Sequence, residues 1–430
     1  MATHTPEDTA HGQSDAHSTV PRRVLIALCT GQITSWGVLF YALPVLLGDI
    51  TADTGWSTAN VMGAFSIGLG ASALAGIAVG HLLDRRGPRL VMTAGSATAA
   101  LAVAGIAFAP NLWWFTAAWT LAGIAQAAVL YKPAFAAITA WYGPRRVRAL
   151  TILTLAGGLA STVFAPLTAY LADHLDWRGV YLVLAAILAV LTIPAHALAL
   201  TPPWPTTAHR SGSHAAVSAS TVRRRIIRSP TFIALATALT LTTFAMFASN
   251  LYLVPLLTGR GMDTVTAAWA LGICGAGQLL GRIAYAPLTK HTGPTVRTIL
   301  ILALGAATLL ATALIPGPVI LVFAAVILLG AARGAFTLLD ATAVTDRWGP
   351  DGYATLHGIL TAPATISIAL SPWAGAQLTT LTGGTPPMFA LLAALTAIAA
   401  AVILAEQLTS RVPRSTRPAE RSPANATHQR

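Results

Sequence analysis

Residues 80–89 read Gly80-His81-Leu82-Leu83-Asp84-Arg85-Arg86-Gly87-Pro88-Arg89. This short charged turn, with its Gly-Pro step, separates two long apolar runs at roughly 58–82 and 89–109. About 20 apolar residues are enough for a helix to cross the hydrocarbon of a bilayer. A basic turn between two such runs predicts a hairpin of membrane helices, with its loop on the side where Lys and Arg collect.

The same pattern extends over the whole chain. Of 430 residues, 55% are hydrophobic and only 9% charged, against about 25% charged in a soluble protein. Twelve segments are long and apolar enough to span: 24–48, 58–82, 89–109, 112–140, 149–172, 178–200, 231–257, 265–288, 297–316, 318–344, 354–378 and 386–407. Gly-Pro and Pro-Asn steps separate many of them. The formal charge of +12 forms no patch suited to nucleic acid; it punctuates the apolar runs. With the N-terminus in the cytosol, 21 of the 26 Lys and Arg fall on the cytosolic side. Only Arg178 and Arg260 fall outside, and Lys132, Arg282 and Arg333 lie within spans. This bias predicts a multi-pass protein of the cell membrane with both termini cytoplasmic. The polar first residues read as a cytosolic tail with no cleaved leader. Cys29 and Cys274 sit in apolar segments and offer no disulfide framework or metal spacing.

An internal repeat sets the architecture. Gly87-Pro88 returns as Gly293-Pro294, Gly143-Pro144 as Gly349-Pro350, and Pro166 as Pro372, each after 206 residues. Tyr41-x-x-Pro44 returns as Tyr252-x-x-Pro255 after 211. The expected organisation is a cytosolic tail (1–23), a six-helix bundle (24–200), a Pro- and Arg-rich cytosolic linker (201–229) ending in a short basic surface helix, a second six-helix bundle (230–407) and a cytosolic tail (408–430). Two like halves in parallel orientation place a solute site between them near mid-membrane.

The stretch 80–89 closely resembles motif A of the major facilitator superfamily, G-x-L-x-D-R-x-G-x-R/K. The resemblance runs from about 24 to 407, while the second-half counterpart, Ala286 to Thr295, is degenerate, with Lys290 in place of the Asp. It implies an all-α polytopic fold of twelve transmembrane helices in two pseudo-symmetric six-helix bundles, working by alternating access. It also implies that Gly80, Asp84, Arg85, Gly87 and Arg89 form a cluster that latches the cytosolic gate when the carrier is open outward. Span one (Trp36 to Tyr41), Gly55-Trp56-Ser57 and Arg282 are similar to bacterial monocarboxylate and oxalate/formate-type carriers. Span five lacks the G-x-x-x-G-P-x-x-G-G signature of drug/proton antiporters.

Ionisable groups inside spans cost about 2.5–3.5 kcal/mol each at the bilayer centre, so they usually face a cavity or a partner. Arg333 and Asp340 are seven residues apart and share one helix face. Lys132 and Asp340 lie on equivalent helices at similar depth, which suggests a gating pair across the halves; a snorkelling Lys132 and a static pair are the alternatives. Arg282 is either an anion ligand or a gate anchor. Three cations against one carboxylate leave about +2, which favours an anionic substrate. Further candidates for substrate contact are Gln126, Tyr131, Tyr41, Asn250 and Tyr252. Asp340 is the candidate for a coupling proton. No metal, cofactor, nucleotide-binding loop or H-E-x-x-H or G-x-S-x-G motif is present, so no enzyme is expected. The expected function is secondary transport of a small, monocarboxylate-like organic anion, with a coupling proton or exchanged anion as partner and a monomeric carrier; the alternative is proton-coupled efflux of drugs or amphipathic metabolites.

Overall fold

The computed structural model describes residues 22–204, 224–349 and 353–411, and every regular element among them is helical. Eleven helices are long and apolar enough to cross a membrane. One of them, Thr58–Ala107, is two spans joined at Gly87, whose φ of 74° and ψ of 171° leave the helical region. The spans therefore number twelve. The expected tails lie almost wholly outside the described residues, as does most of the expected linker.

Span one is Arg22–Thr54; two and three share Thr58–Ala107; four is Leu112–Trp141; five joins Arg146–Gly158 to Ala160–Ala172. Six is Trp177–Ala199, seven Pro230–Thr258, eight Thr264–His291, nine Pro294–Leu314 and ten Val319–Thr342. Eleven is Tyr353–Thr382 and twelve Thr385–Arg411. The arginine-bearing turns define a basic face of the molecule. The two arginines on the opposite face are both engaged. Arg178 pairs with Asp53, and Arg260 caps the end of span nine through the carbonyls of Thr312 (3.0 Å) and Ile315 (2.9 Å).

The repeat is real in outline and broken in detail. Pro166 and Pro372 both lie inside helices. Gly87, Gly143 and Gly349 all take positive φ, which glycine alone adopts without strain. Gly293, the counterpart of Gly87, instead has φ −72° and caps span nine. The helices of the first half are also interrupted near mid-membrane. Span one passes through a π turn at Gly37–Tyr41, and span four breaks at Leu130, whose ψ is −160°. Span five breaks at Leu159. Spans seven and ten run without a break.

Proline accounts for one of these interruptions, that of span four. Pro133 has no N–H to offer the carbonyl of Val129, four residues back. Gln32 of span one supplies the missing donor, its Nε2 lying 2.8 Å from the Val129 oxygen. Gln126 of span four also donates to span one, reaching the Leu39 carbonyl within the π turn at 3.1 Å. Spans one and four are thus stitched by two buried amides, and that of Gln32 repairs a proline's defect.

The halves meet mainly on the face away from the arginines. Thr162 of span five donates to the Gly272 carbonyl of span eight at 2.7 Å. The Trp373 amide of span eleven donates to Ser66 of span two at 3.0 Å. Phe40 and Phe247 meet edge to face at 5.9 Å between spans one and seven. Packing across the halves runs through Ala160–Ala172 against span eight, Thr58–Ala107 against span eleven and Ala42–Thr54 against span seven, and much less through Arg146–Gly158, the part of span five nearer the basic face. The space between the halves therefore opens towards the basic face. A Ser66→Cys/Trp373→Cys pair is expected to form a cross-link in the purified protein under mild oxidation. A pair placed at the basic ends of the same spans, Ile77→Cys/Gly358→Cys, is expected to stay free, as read by mobility on gels.

Candidate functional site

Spans eight and ten carry the arginines, and glycine brings those spans together. A Cβ at Gly281 would lie 1.8 Å from the Ala331 carbonyl oxygen, and one at Gly334 would lie 2.1 Å from that of Gln278. Only glycine allows such backbone contact. The seam sets Arg282 and Arg333 on adjoining helices, and both side chains line one central cavity of about 340 Å³. Trp36, Tyr41 and Tyr131 form its wall from the first half, and Gln278, Asp340 and His357 join the arginines from the second.

Each guanidinium is held but not used up. Arg333 donates to the Met246 carbonyl at 3.2 Å and lies 5.0 Å above the Phe247 ring. Arg282 reaches across the halves to the Thr154 carbonyl of span five at 2.5 Å. It presses against Gly158, where a Cβ would stand 2.9 Å from its Nη1. Its Nε has no partner among the described residues. Arg282 is thus both a cavity group and a tie between the halves. The Asp340 carboxylate stands 3.8 Å from His357 Nε2. Trp36 Nε1 is buried without a partner at the cavity wall.

The remaining candidates fall elsewhere. No ion pair joins Lys132 to Asp340 among the described residues; Asp340 faces His357 instead. The break at Leu130 starts a new helix at Tyr131, and Lys132 turns towards span two, where a Cβ on Gly76 would be 3.4 Å from its ammonium. The central cavity therefore holds two guanidinium groups and one carboxylate, a formal +1 and not the +2 counted along the sequence. Gln126 spends its amide on Leu39. Tyr252 ties span seven to span eleven through the Pro372 carbonyl at 2.5 Å. Asn250 is only 4% exposed and lies away from the cavity wall. His357, which sequence reasoning passed over by weighing only Asp, Glu, Lys and Arg within spans, was visible as a histidine inside 354–378.

The turn at 80–89 is built but its carboxylate is not engaged. Arg89 donates to the Ala197 carbonyl of span six at 2.7 Å. Trp204 donates to the Asp84 carbonyl at 3.1 Å and packs on Gly87, where a Cβ would stand 3.0 Å from the indole. The side chains of Asp84, Arg85 and Arg86 are exposed and make no ion pair among the described residues. These exposed charges lie on the face where the halves stand apart. Gly80 and Gly76 form no tight helix contact: a Cβ on Gly80 would meet nothing within 4 Å. In the second half, Arg297, only 4% exposed, pairs with Asp346. Arg347 donates to Thr298 at 2.8 Å.

Residues 28–361 match the family model described as Major Facilitator Superfamily. Monocarboxylate transporter 13 of Bos taurus is 27% identical over 277 residues, which cover 64% of this chain and 62% of that protein. A multi-drug resistance efflux pump PmrA homolog of Lactococcus lactis is 33% identical over 132 residues, 30% of this chain and 32% of that one. The crystal structure of the nucleoside transporter NupG superposes with a TM-score of 0.75 at 13% identity, covering 89% of this chain and 98% of that one.

The geometry separates stitching from binding. Gln126→Leu is expected to remove a buried hydrogen bond to the Leu39 carbonyl and to cost about 1 kcal/mol of stability, read as a lower melting temperature in detergent. Its KM for any transported solute is expected to stay within about twofold of the parent.

Proposed function

We propose a substrate class for this chain, which belongs to the Major Facilitator Superfamily: it is a secondary carrier of a small, monocarboxylate-like organic anion. The observation that carries this reading is the convergence of Arg282 and Arg333 on one cavity with a single opposing carboxylate. A guanidinium offers a planar fork that matches a carboxylate's two oxygens. Arg333 is the better placed of the two as the anchor, since Arg282 already spends one nitrogen on Thr154. In an enclosed site of low dielectric, an uncompensated positive charge favours an anion as occupant. The likeness to a monocarboxylate transporter supports the same class.

The mechanism follows from how the halves touch. Contacts on the face away from the arginines close the cavity there, and rocking about the Arg282–Thr154 tie would exchange them for contacts at the basic face. Asp84 would then find partners across the turn. The basic face is the cytosolic one in a cell membrane, following the distribution of Lys and Arg. Asp340 and His357, 3.8 Å apart, are the groups in the cavity that would hold a coupling proton. Export of drugs or amphipathic metabolites is the second reading, favoured by the local likeness to an efflux pump.

Counterflow by the purified protein in liposomes, across monocarboxylates, dicarboxylates, lipophilic cations and dyes, tests the reading. Monocarboxylate counterflow is expected, with Arg333→Gln lowering kcat/KM roughly ten- to hundredfold. Arg333→Lys, which keeps the charge but not the fork, is expected to fall between the two. Movement of lipophilic cations with no movement of carboxylates overturns the anion reading in favour of export.

A further inference from the structure

We propose that the groove between spans two and eleven is a binding site for a free acyl-chain carboxylate, with the carboxylate seated on the Lys132 ammonium. This groove encloses about 1150 Å³, more than three times the central cavity. One wall is span two from Ala59 to Ile77 and the other is span eleven from Gly358 to Trp373. Small side chains and bare backbone at Gly70, Ala73, Gly358, Ala362 and Ala369 leave the space between the two helices unfilled. Leu74, Ile77 and Ile366 expose 76%, 68% and 63% of their surface along it. One polar lining group, the Ser66 hydroxyl, is already bonded to the Trp373 amide. The groove's single charged lining residue is Lys132.

The charge has no partner of its own. No hydrogen bond or ion pair to Lys132 is found among the described residues, and its ammonium stands beside Gly76. It lies nine residues before Trp141, the end of span four, so about 14 Å along the helix from that end. The hydrocarbon core is about 30 Å thick, which places the ammonium near the level where an unpaired cation is most costly. An anion is the complementary partner. From Gly76 to Gly63 span two runs thirteen residues, about 20 Å of apolar wall, so the rest of the ligand is a long hydrocarbon chain. A phospholipid is a poor fit: its headgroup stays at the membrane surface, and it brings two chains to a slot between two helices. One chain and one negative charge describe a free acyl carboxylate. A smaller chamber of about 260 Å³ lies beside both, sharing Lys132 with the groove and Trp36, Tyr131 and Phe247 with the central cavity. The site stands on its own geometry, whatever the central cavity carries.

Photolabelling of the full chain in lipid nanodiscs tests this, using dodecanoate with a terminal diazirine and mapping the adducts by mass spectrometry. The matching alcohol, the matching trimethylammonium and a phosphatidylglycerol with a diazirine on one chain serve as the other arms. The carboxylate is expected to label 59–77 and 358–373 roughly tenfold more than the alcohol, as one charged contact allows. Lys132→Gln is expected to reduce that labelling to the level of the alcohol. Gly70→Leu, which fills the groove where a Cβ meets nothing within 4 Å and leaves Lys132 in place, is expected to reduce it as well; it carries the test if Lys132→Gln does not fold. Equal labelling by carboxylate and alcohol overturns the proposal. So does labelling unmoved by both variants, or phosphatidylglycerol labelling these segments more strongly than dodecanoate. Because labelling is read apart from counterflow, loss of the anion-carrier reading would leave this result intact, and the reverse also holds.

Discussion

A backbone carbonyl that loses its amide partner inside a bilayer has no water to turn to, and the interior of this carrier is arranged around that constraint. Pro133 frees the Val129 carbonyl, and Gln32 takes it up. Gln126 makes a second such bond, to the Leu39 carbonyl within the π turn of span one. Each bond needs a long amide on the neighbouring helix at the right height, so spans one and four are locked in register. The break that Pro133 creates lies beside the central cavity. It lets Tyr131 face the cavity while Lys132, the next residue, turns towards span two. A straight span four would have carried the lysine's direction on from Gln126 by simple helical rotation.

The second half meets the same constraint without breaks. Its cavity-lining spans are continuous, and their closeness comes from glycine. Gly277, Gly281, Gly330 and Gly334 let spans eight and ten touch backbone to backbone, and the two arginines project from that seam. Rigid, closely packed helices suit the half that holds the charges, because they fix the positions of the two guanidinium groups. Interrupted helices suit the half that supplies the aromatic wall. The repeat thus provides two bundles of one plan, and the difference in how each bundle treats its backbone separates their roles.

Much of this was legible in the sequence. The twelve spans, the face on which the arginines collect and the two like halves all follow from apolar length, Lys/Arg placement and recurring Gly-Pro steps. Arg282 and Arg333 were legible as cavity groups because a buried guanidinium has few other uses. What escaped was direction. The 206-residue offset put Lys132 and Asp340 at similar depth but could not register the turn at Leu130, since that turn comes from a proline present only in the first half. Gln126 was read as a ligand because a buried polar residue invites it. In the structure its amide is committed to the Leu39 carbonyl of span one. His357 was visible but uncounted, and it is the group that Asp340 faces.

The charged turns of the two halves carry the asymmetry into the working cycle. At the basic face of the second half, Arg297 is buried against Asp346 and Arg347 is bonded to Thr298, so these charges are spent within their own bundle. In the first half, Arg89 and Trp204 fasten the turn from below, while the side chains of Asp84, Arg85 and Arg86 stay exposed. A turn fixed in place with unspent charges is costly to keep unless another state uses them. The state seen here has the halves apart at that face, and exposed ion pairs are worth little in water. Bringing the halves together would remove water from the same groups and strengthen each contact. The turn at 80–89, whose charges first placed it between two membrane helices, thus carries its unpaired charges on the face where the halves stand apart.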